Sequence, residues 1–413
     1  MRHAAAALLA ALVWQSAGAQ EAEPLYPRDL ITNFWRATTD AARAAAADEL
    51  SNSAASPEAL YRWFRLGPEY DSEAATGVVV DSRSGPTGED FPYAVLVPDD
   101  YDSETAYPVE FMLHGGVGRP QPPEDGVFWR GGYDSLRRDD RLVVVPAAWR
   151  DAYWWHENQA ENLPAILRRV RRNYHVDDNR VSLTGVSDGG TGAWFFAFKQ
   201  PSDWASFLAY IGHPGVLRSP QSGGGYRLYF ENLMSKPIYI VNGENDRLYP
   251  AESLGSFVEI LEQEGVEHTF RVIAGGGHNT SWLPEERPAI EAFKREHPRD
   301  PFPEQIQWVA DRVDHFNQNH WIRIDELAEP GRPALLQLNR EGNVFSATVR
   351  GVSEFTLLLN PDEVNFSDPL LVSVNGRVVY TGTVRQSMAT LLESAQALDR
   401  DFLYTATLSV EVP

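Results

Sequence analysis

The stretch "RVSLTGVSDGGTGAWFF", Arg180 to Phe196, constrains this chain more than any other. Its apolar run from Val181 to Thr184 reads as a buried strand, and the residues after Gly190 suit a packed helix. Between them stands a lone serine, Ser187, with Gly185 two residues before it and Gly189 two after. G-x-S-x-G at a strand-to-helix junction is a turn so tight that a side chain at either flank would clash, and it lifts the serine Oγ above the sheet. The helix beginning there aims backbone N–H groups at any negative charge that develops. A glycine turn that only joins strand to helix has the same spelling, so the residues downstream must decide.

A serine hydroxyl needs a base, and the base needs an orienting carboxylate. In this arrangement they follow in the order serine, acid, histidine. "IVNGENDRLYP" places Asp246 in the loop after a buried strand, with Glu244 as the rival acid. "VIAGGGHNTSW" places His278 after the next strand, behind three glycines that mark a backbone needing unusual freedom. An oxyanion site would take one N–H from Asp188, after the nucleophile, and one from "FMLHGGVG", at Gly115 or Gly116. His114 is expected to shape that loop and not to carry a proton.

The surrounding text alternates apolar strand-like runs with helical spacings, which predicts a mostly parallel sheet covered on both faces. Residues 76–297 form this α/β unit. Before it, residues 20–75 read as an alanine-rich helical extension. After "HPRDPFP" the pattern shifts to alternating runs with turn signals, predicting a small all-β domain of antiparallel strands with one helix over residues 298–413. Because everything chemical precedes His297, a chain cut after about Pro303 is expected to retain the chemistry. Acidic turns such as Asp177-Asp178 read as solvated.

Residues 1–19 have a basic start, an apolar stretch and small residues at Ala17 and Ala19, the pattern of a secretory signal peptide. Arginine far outnumbers lysine, as in GC-rich bacterial genomes, so a secreted or periplasmic bacterial protein is expected. The absence of cysteine excludes a thiol nucleophile and cysteine-ligated metals. A net charge of −22 opposes binding to nucleic acid or anionic membranes. No membrane span is expected in the mature chain.

With "HGG", "GVSDGG", "NGENDRLYP" and "GGGHN" in this order, residues 76–297 resemble the α/β-hydrolase family. More narrowly they resemble secreted feruloyl and acetylxylan esterases and polyhydroxyalkanoate depolymerases, and the catalytic domain of prolyl-oligopeptidase-type peptidases. The resemblance implies a Ser187–His278–Asp246 esterase without a cofactor, acting on small-molecule, polysaccharide or polyester esters. Asp188 departs from the pattern, since these esterases often carry a neutral or apolar residue there. Trp155, His213 and Trp282 are expected to bind substrate, and Trp129 is a further candidate. The alternatives are a peptidase, disfavoured because residues 20–75 cannot form the usual propeller, and a carbohydrate-binding protein with a vestigial hydrolase domain.

Overall fold

The computed structural model describes residues 27–413 apart from Ala54, Thr87, Glu124, Asp125 and Ser235; the expected signal peptide lies outside the described residues. Three helices come first: α1 (Arg28–Arg36), α2 (Asp40–Ser51) and α3 (Pro57–Leu66). Local chemistry sets the limits of α3. The Ser56 side chain accepts from the Ala59 N–H at 3.1 Å, Pro57 occupies the first turn, and Gly67 ends the helix at φ +78°.

Strands β1 (Gly77–Ser84), β2 (Asp90–Val97), β3 (Tyr107–Leu113), β4 (Leu142–Pro146), β5 (Val176–Val186), β6 (Ser206–Tyr210), β7 (Ile238–Gly243) and β8 (His268–Ile273) form one sheet. Its order is β1-β2-β4-β3-β5-β6-β7-β8, with β2 antiparallel to both neighbours and the rest parallel. The central strands are buried throughout, as unbroken runs such as "LVVVP" require of strands covered on both faces. The covering helices are α4 (Glu157–Asn173), α5 (Asp188–Lys199), α6 (Gly255–Gln263) and α7 (Leu283–Glu296). The turn before α6 is 3-10 over Ala251–Leu254.

A buried polar cluster fastens α7 beneath the site. Glu110 of β3 accepts from Lys294 Nζ at 2.6 Å, Thr184 Oγ1 at 2.7 Å and Arg141 at 3.3 Å. Burial alone would raise the Glu110 carboxyl, but Lys294 and Arg141 outweigh it and bring it down to about 2.

The remaining strands are β9 (Gln305–Ala310), β10 (Gln318–Asn319), β11 (Ile322–Leu327), β12 (Ala334–Glu341), β13 (Val344–Arg350), β14 (Val352–Leu359), β15 (Leu370–Val374), β16 (Arg377–Gly382) and β17 (Ala406–Glu411), with α8 (Met388–Ser394) before the last. They make two sheets, β10-β11-β14-β17 and β16-β15-β13-β12-β9, around a core holding Trp308, Trp321 and Phe345. Burial alternates residue by residue along β13, the period-2 pattern read from the sequence. One pairing departs from the antiparallel expectation: β13 and β15 run parallel.

These parts interlock. Phe34, Leu60 and Phe64 of the first helices share a core with Leu391, Ala395 and Leu403. Asp178 is not a solvated turn residue but is 1% exposed, and it accepts from Arg171 Nε at 2.8 Å and from the Arg400 N–H at 3.1 Å. Asp399, equally buried, accepts from Arg171 at 2.7 Å and from Arg299 at 2.7 and 3.0 Å. The two guanidinium groups hold Asp399 well below the usual carboxylate range despite its burial.

Candidate active site

Ser187 sits between β5 and α5 at φ +58°, ψ −117°, a backbone region that costs a non-glycine residue on the order of 1–3 kcal/mol. The glycines around it are required by contact. A Cβ on Gly185 would lie 1.9 Å from the Gly189 carbonyl oxygen, and one on Gly189 would lie 2.0 Å from that of Leu113. Gly189→Ala should therefore abolish folding, measured as loss of soluble protein with a cooperative melt. Full activity and an unchanged melt would show that the crossing of β3 and α5 is not so close.

The Ser187 Oγ lies 2.9 Å from His278 Nε2, and His278 Nδ1 lies 2.7 Å from Asp246 Oδ2. The other Asp246 oxygen accepts from the Leu248 and Tyr249 N–H groups at 2.8 and 3.0 Å. Burial by itself would raise the Asp246 carboxyl, but the Tyr249 and Leu248 amides and the imidazole hold it below its ordinary value. An ionised Asp246 accepts a hydrogen bond from the His278 Nδ1–H, which leaves Nε2 free to accept from serine. Glu244, the rival acid, is exposed and accepts from the Gly275 N–H at 2.7 Å instead.

His114 lies behind the loop that follows β3. Its Nε2 accepts from the Ala148 N–H at 3.0 Å, so Nδ1 carries the proton and donates to the Gly115 carbonyl at 3.0 Å. Burial depresses its pKa, in keeping with a neutral ring. The Gly116 N–H is already engaged, donating to Asp188 Oδ2 at 2.9 Å. Of the three amides expected to serve an oxyanion, those of Asp188, Gly115 and Gly116, the last is thus taken up by the Asp188 side chain. Ser187 occupies the N-cap position of α5, yet its hydroxyl serves His278, and the helix has no side-chain cap.

A cleft of about 840 Å³ opens over these groups, walled by Gly115, Arg119, Phe128, Trp129, Arg130 and Thr280 among others. The loop between β3 and β4 supplies most of that wall. Sequence reasoning singled out Trp129 but missed Arg119, Phe128 and Arg130; their one signal was a place between a strand's C-terminal end and the next strand. The three expected substrate-binding residues are elsewhere. Trp155 is 3% exposed and donates to the Ser222 carbonyl. Trp282 packs edge-on against Tyr210 and donates to the Asn279 carbonyl. His213 accepts from the Gly215 N–H and packs against Phe257. Each indole or imidazole is satisfied internally, and none lines the cleft.

A mostly parallel eight-stranded sheet with a serine elbow at the end of β5 and later loops bringing acid and histidine to it defines an α/β-hydrolase. Residues 90–297 match the Dienelactone hydrolase family, and the chain belongs to it. Among solved structures, a thermostable esterase is 22% identical with a TM-score of 0.43, covering 54% of this chain and 63% of its own. Dipeptidyl peptidase 4 of Porphyromonas gingivalis is 15% identical with a TM-score of 0.43, covering 53% and 35%. The CE1 ferulic acid esterase of the anaerobic fungus Anaeromyces mucronatus is 17% identical with a TM-score of 0.39, covering 51% and 88%. The chain thus spans less than two thirds of the length of the esterase and of the peptidase. No curated protein sequence matches it.

Proposed function

We propose that this chain is an exported serine hydrolase that cleaves carboxylic esters, with Ser187 as nucleophile, His278 as base and Asp246 as orienting acid. The reading is carried by the continuous hydrogen-bonded line from Ser187 Oγ through His278 to Asp246 at a strained elbow. Ser187 Oγ attacks the ester carbonyl carbon while its proton passes to His278 Nε2. The carbonyl oxygen takes the negative charge against the Asp188 and Gly115 amides. Collapse expels the alcohol, which receives the proton from His278, and leaves an acyl group on Ser187. Water then repeats the sequence and releases the acid. Export rests on the pattern of residues 1–19, and aromatic cleft walls such as Phe128 and Trp129 favour cell-wall or polymer-derived esters.

The test is labelling of Ser187 by a fluorophosphonate, together with turnover of p-nitrophenyl esters, methyl ferulate and an acetylated xylan. A wild-type protein inert to all of them would overturn the reading. Acid should also switch the reaction off by titrating a single proton, since protonated imidazole cannot act as base. Asp246 has a depressed pKa, so its negative charge is present above that lowered value and is lost only as pH falls through it. Loss of the Asp246 charge should therefore not lower kcat/KM within the ordinary carboxylate range or above it. An Asp246 carboxyl found protonated there, by its infrared carbonyl band, would contradict this.

A further inference from the structure

We infer that Asp188 is a positioning residue whose carboxylate clamps the oxyanion loop to the nucleophile's helix; this rests on the ester-hydrolase reading above. An aspartate in the first turn of an uncapped helix would be expected to fold back onto its own helix's N–H groups. This one reaches across to the neighbouring loop, where its Oδ2 accepts from two successive amides, Gly116 at 2.9 Å and Val117 at 3.0 Å. Gly116 has φ +72°, and the left-handed residue turns consecutive N–H groups toward one point, a small anion-binding nest. That nest is filled by a carboxylate of the chain itself.

The consequence falls on Gly115. A Cβ there would stand 2.8 Å from the Ser187 Cβ, so the loop backbone lies directly against the nucleophile. Its N–H has no hydrogen-bond partner among the described residues. Three contacts fix the loop around it: the His114 ring to the Gly115 carbonyl, Trp154 Nε1 to the His114 carbonyl at 2.8 Å, and Asp188 to the next two amides. Among these, only the Asp188 contact ties the loop to the same turn that presents Ser187 and the Asp188 amide. The clamp therefore sets the spacing of the two donors, and a donor misplaced by about 1 Å costs on the order of 10²-fold in rate.

The experiment compares Asp188→Ala and Asp188→Asn with wild type on p-nitrophenyl acetate. Loss of the clamp should lower kcat about 10- to 100-fold with KM within about twofold, because the misplaced donor serves the transition state. Affinity for an arylboronic acid, whose serine adduct presents a tetrahedral oxygen, should fall in parallel with kcat. Asn, which keeps an acceptor oxygen, should recover most of the loss, a rescue that a change in charge alone would not produce. Wild-type kcat in the Ala variant, or an increase, would overturn the clamp and make the carboxylate a plug of the nest. Should Ala fail to fold, a folded Asn variant with a 100-fold deficit and unchanged boronate affinity would overturn it as well. Wild-type inertness to both ester and fluorophosphonate would instead remove the ester-hydrolase reading, and the clamp with it.

Discussion

Ser187→Ala should lower ester turnover on the order of 10⁴-fold or more while leaving the thermal melt in place, because the side chain does chemistry and little packing. His278 would remain oriented by Asp246 at 2.7 Å, so any residual rate would come from binding and the oxyanion donors alone. The backbone adds a second, opposite expectation for Ser187→Gly. Glycine adopts the left half of conformational space without the cost that Ser187 bears at φ +58°, so this variant should be equally inactive and more stable than wild type. Active-site titration, p-nitrophenyl acetate kinetics and a melting curve on the three proteins decide the matter. One tenth of wild-type activity in either variant would sink the assignment of the nucleophile.

The second large effect concerns Asp399. Replacing it by alanine leaves Arg171 and Arg299, 1% and 6% exposed, without the carboxylate they share. Breaking a buried pair from one side costs about 3–5 kcal/mol, to be read as a lower unfolding free energy in urea. The same node revises the expectation that a chain cut after about Pro303 keeps its chemistry. The cut removes Asp399, and also Val309, whose N–H and carbonyl satisfy the buried Asn232 side chain at 2.7 and 3.0 Å. It strips α8 from the first three helices as well. The truncated chain should therefore be insoluble or melt without cooperativity. A soluble fragment with wild-type turnover would show that the hydrolase part stands alone.

What was legible in the sequence shares one property: it depends on neighbours within a few residues. The glycine spacing around Ser187, the strand-loop placements of Asp246 and His278, and the period-2 alternation along β13 are all written locally. The long-range partners are not. Asp178 looks like a turn residue until β5 brings it under Arg171 and Arg400. Trp155, Trp282 and His213 look like ligands' partners until the fold turns each toward a backbone group of its own. Asp188 signalled its oddity as an acid beside an oxyanion, but where its carboxylate goes depends on a loop 71 residues away.

The shared core of the first helices and α8 has a consequence for the order of events during synthesis. Tyr61 donates to Asp362 at 2.8 Å across 301 residues of chain, and Phe64 meets Leu391 later still. At ordinary translation speeds the apolar faces of α1 and α3 wait on the order of tens of seconds before their partners emerge. During that interval the part of the opening segment that α8 will cover remains bare, so a nascent chain is exposed there to chaperones and proteases. Helix α8 and the residues just after it, made late, thus seal the first helices.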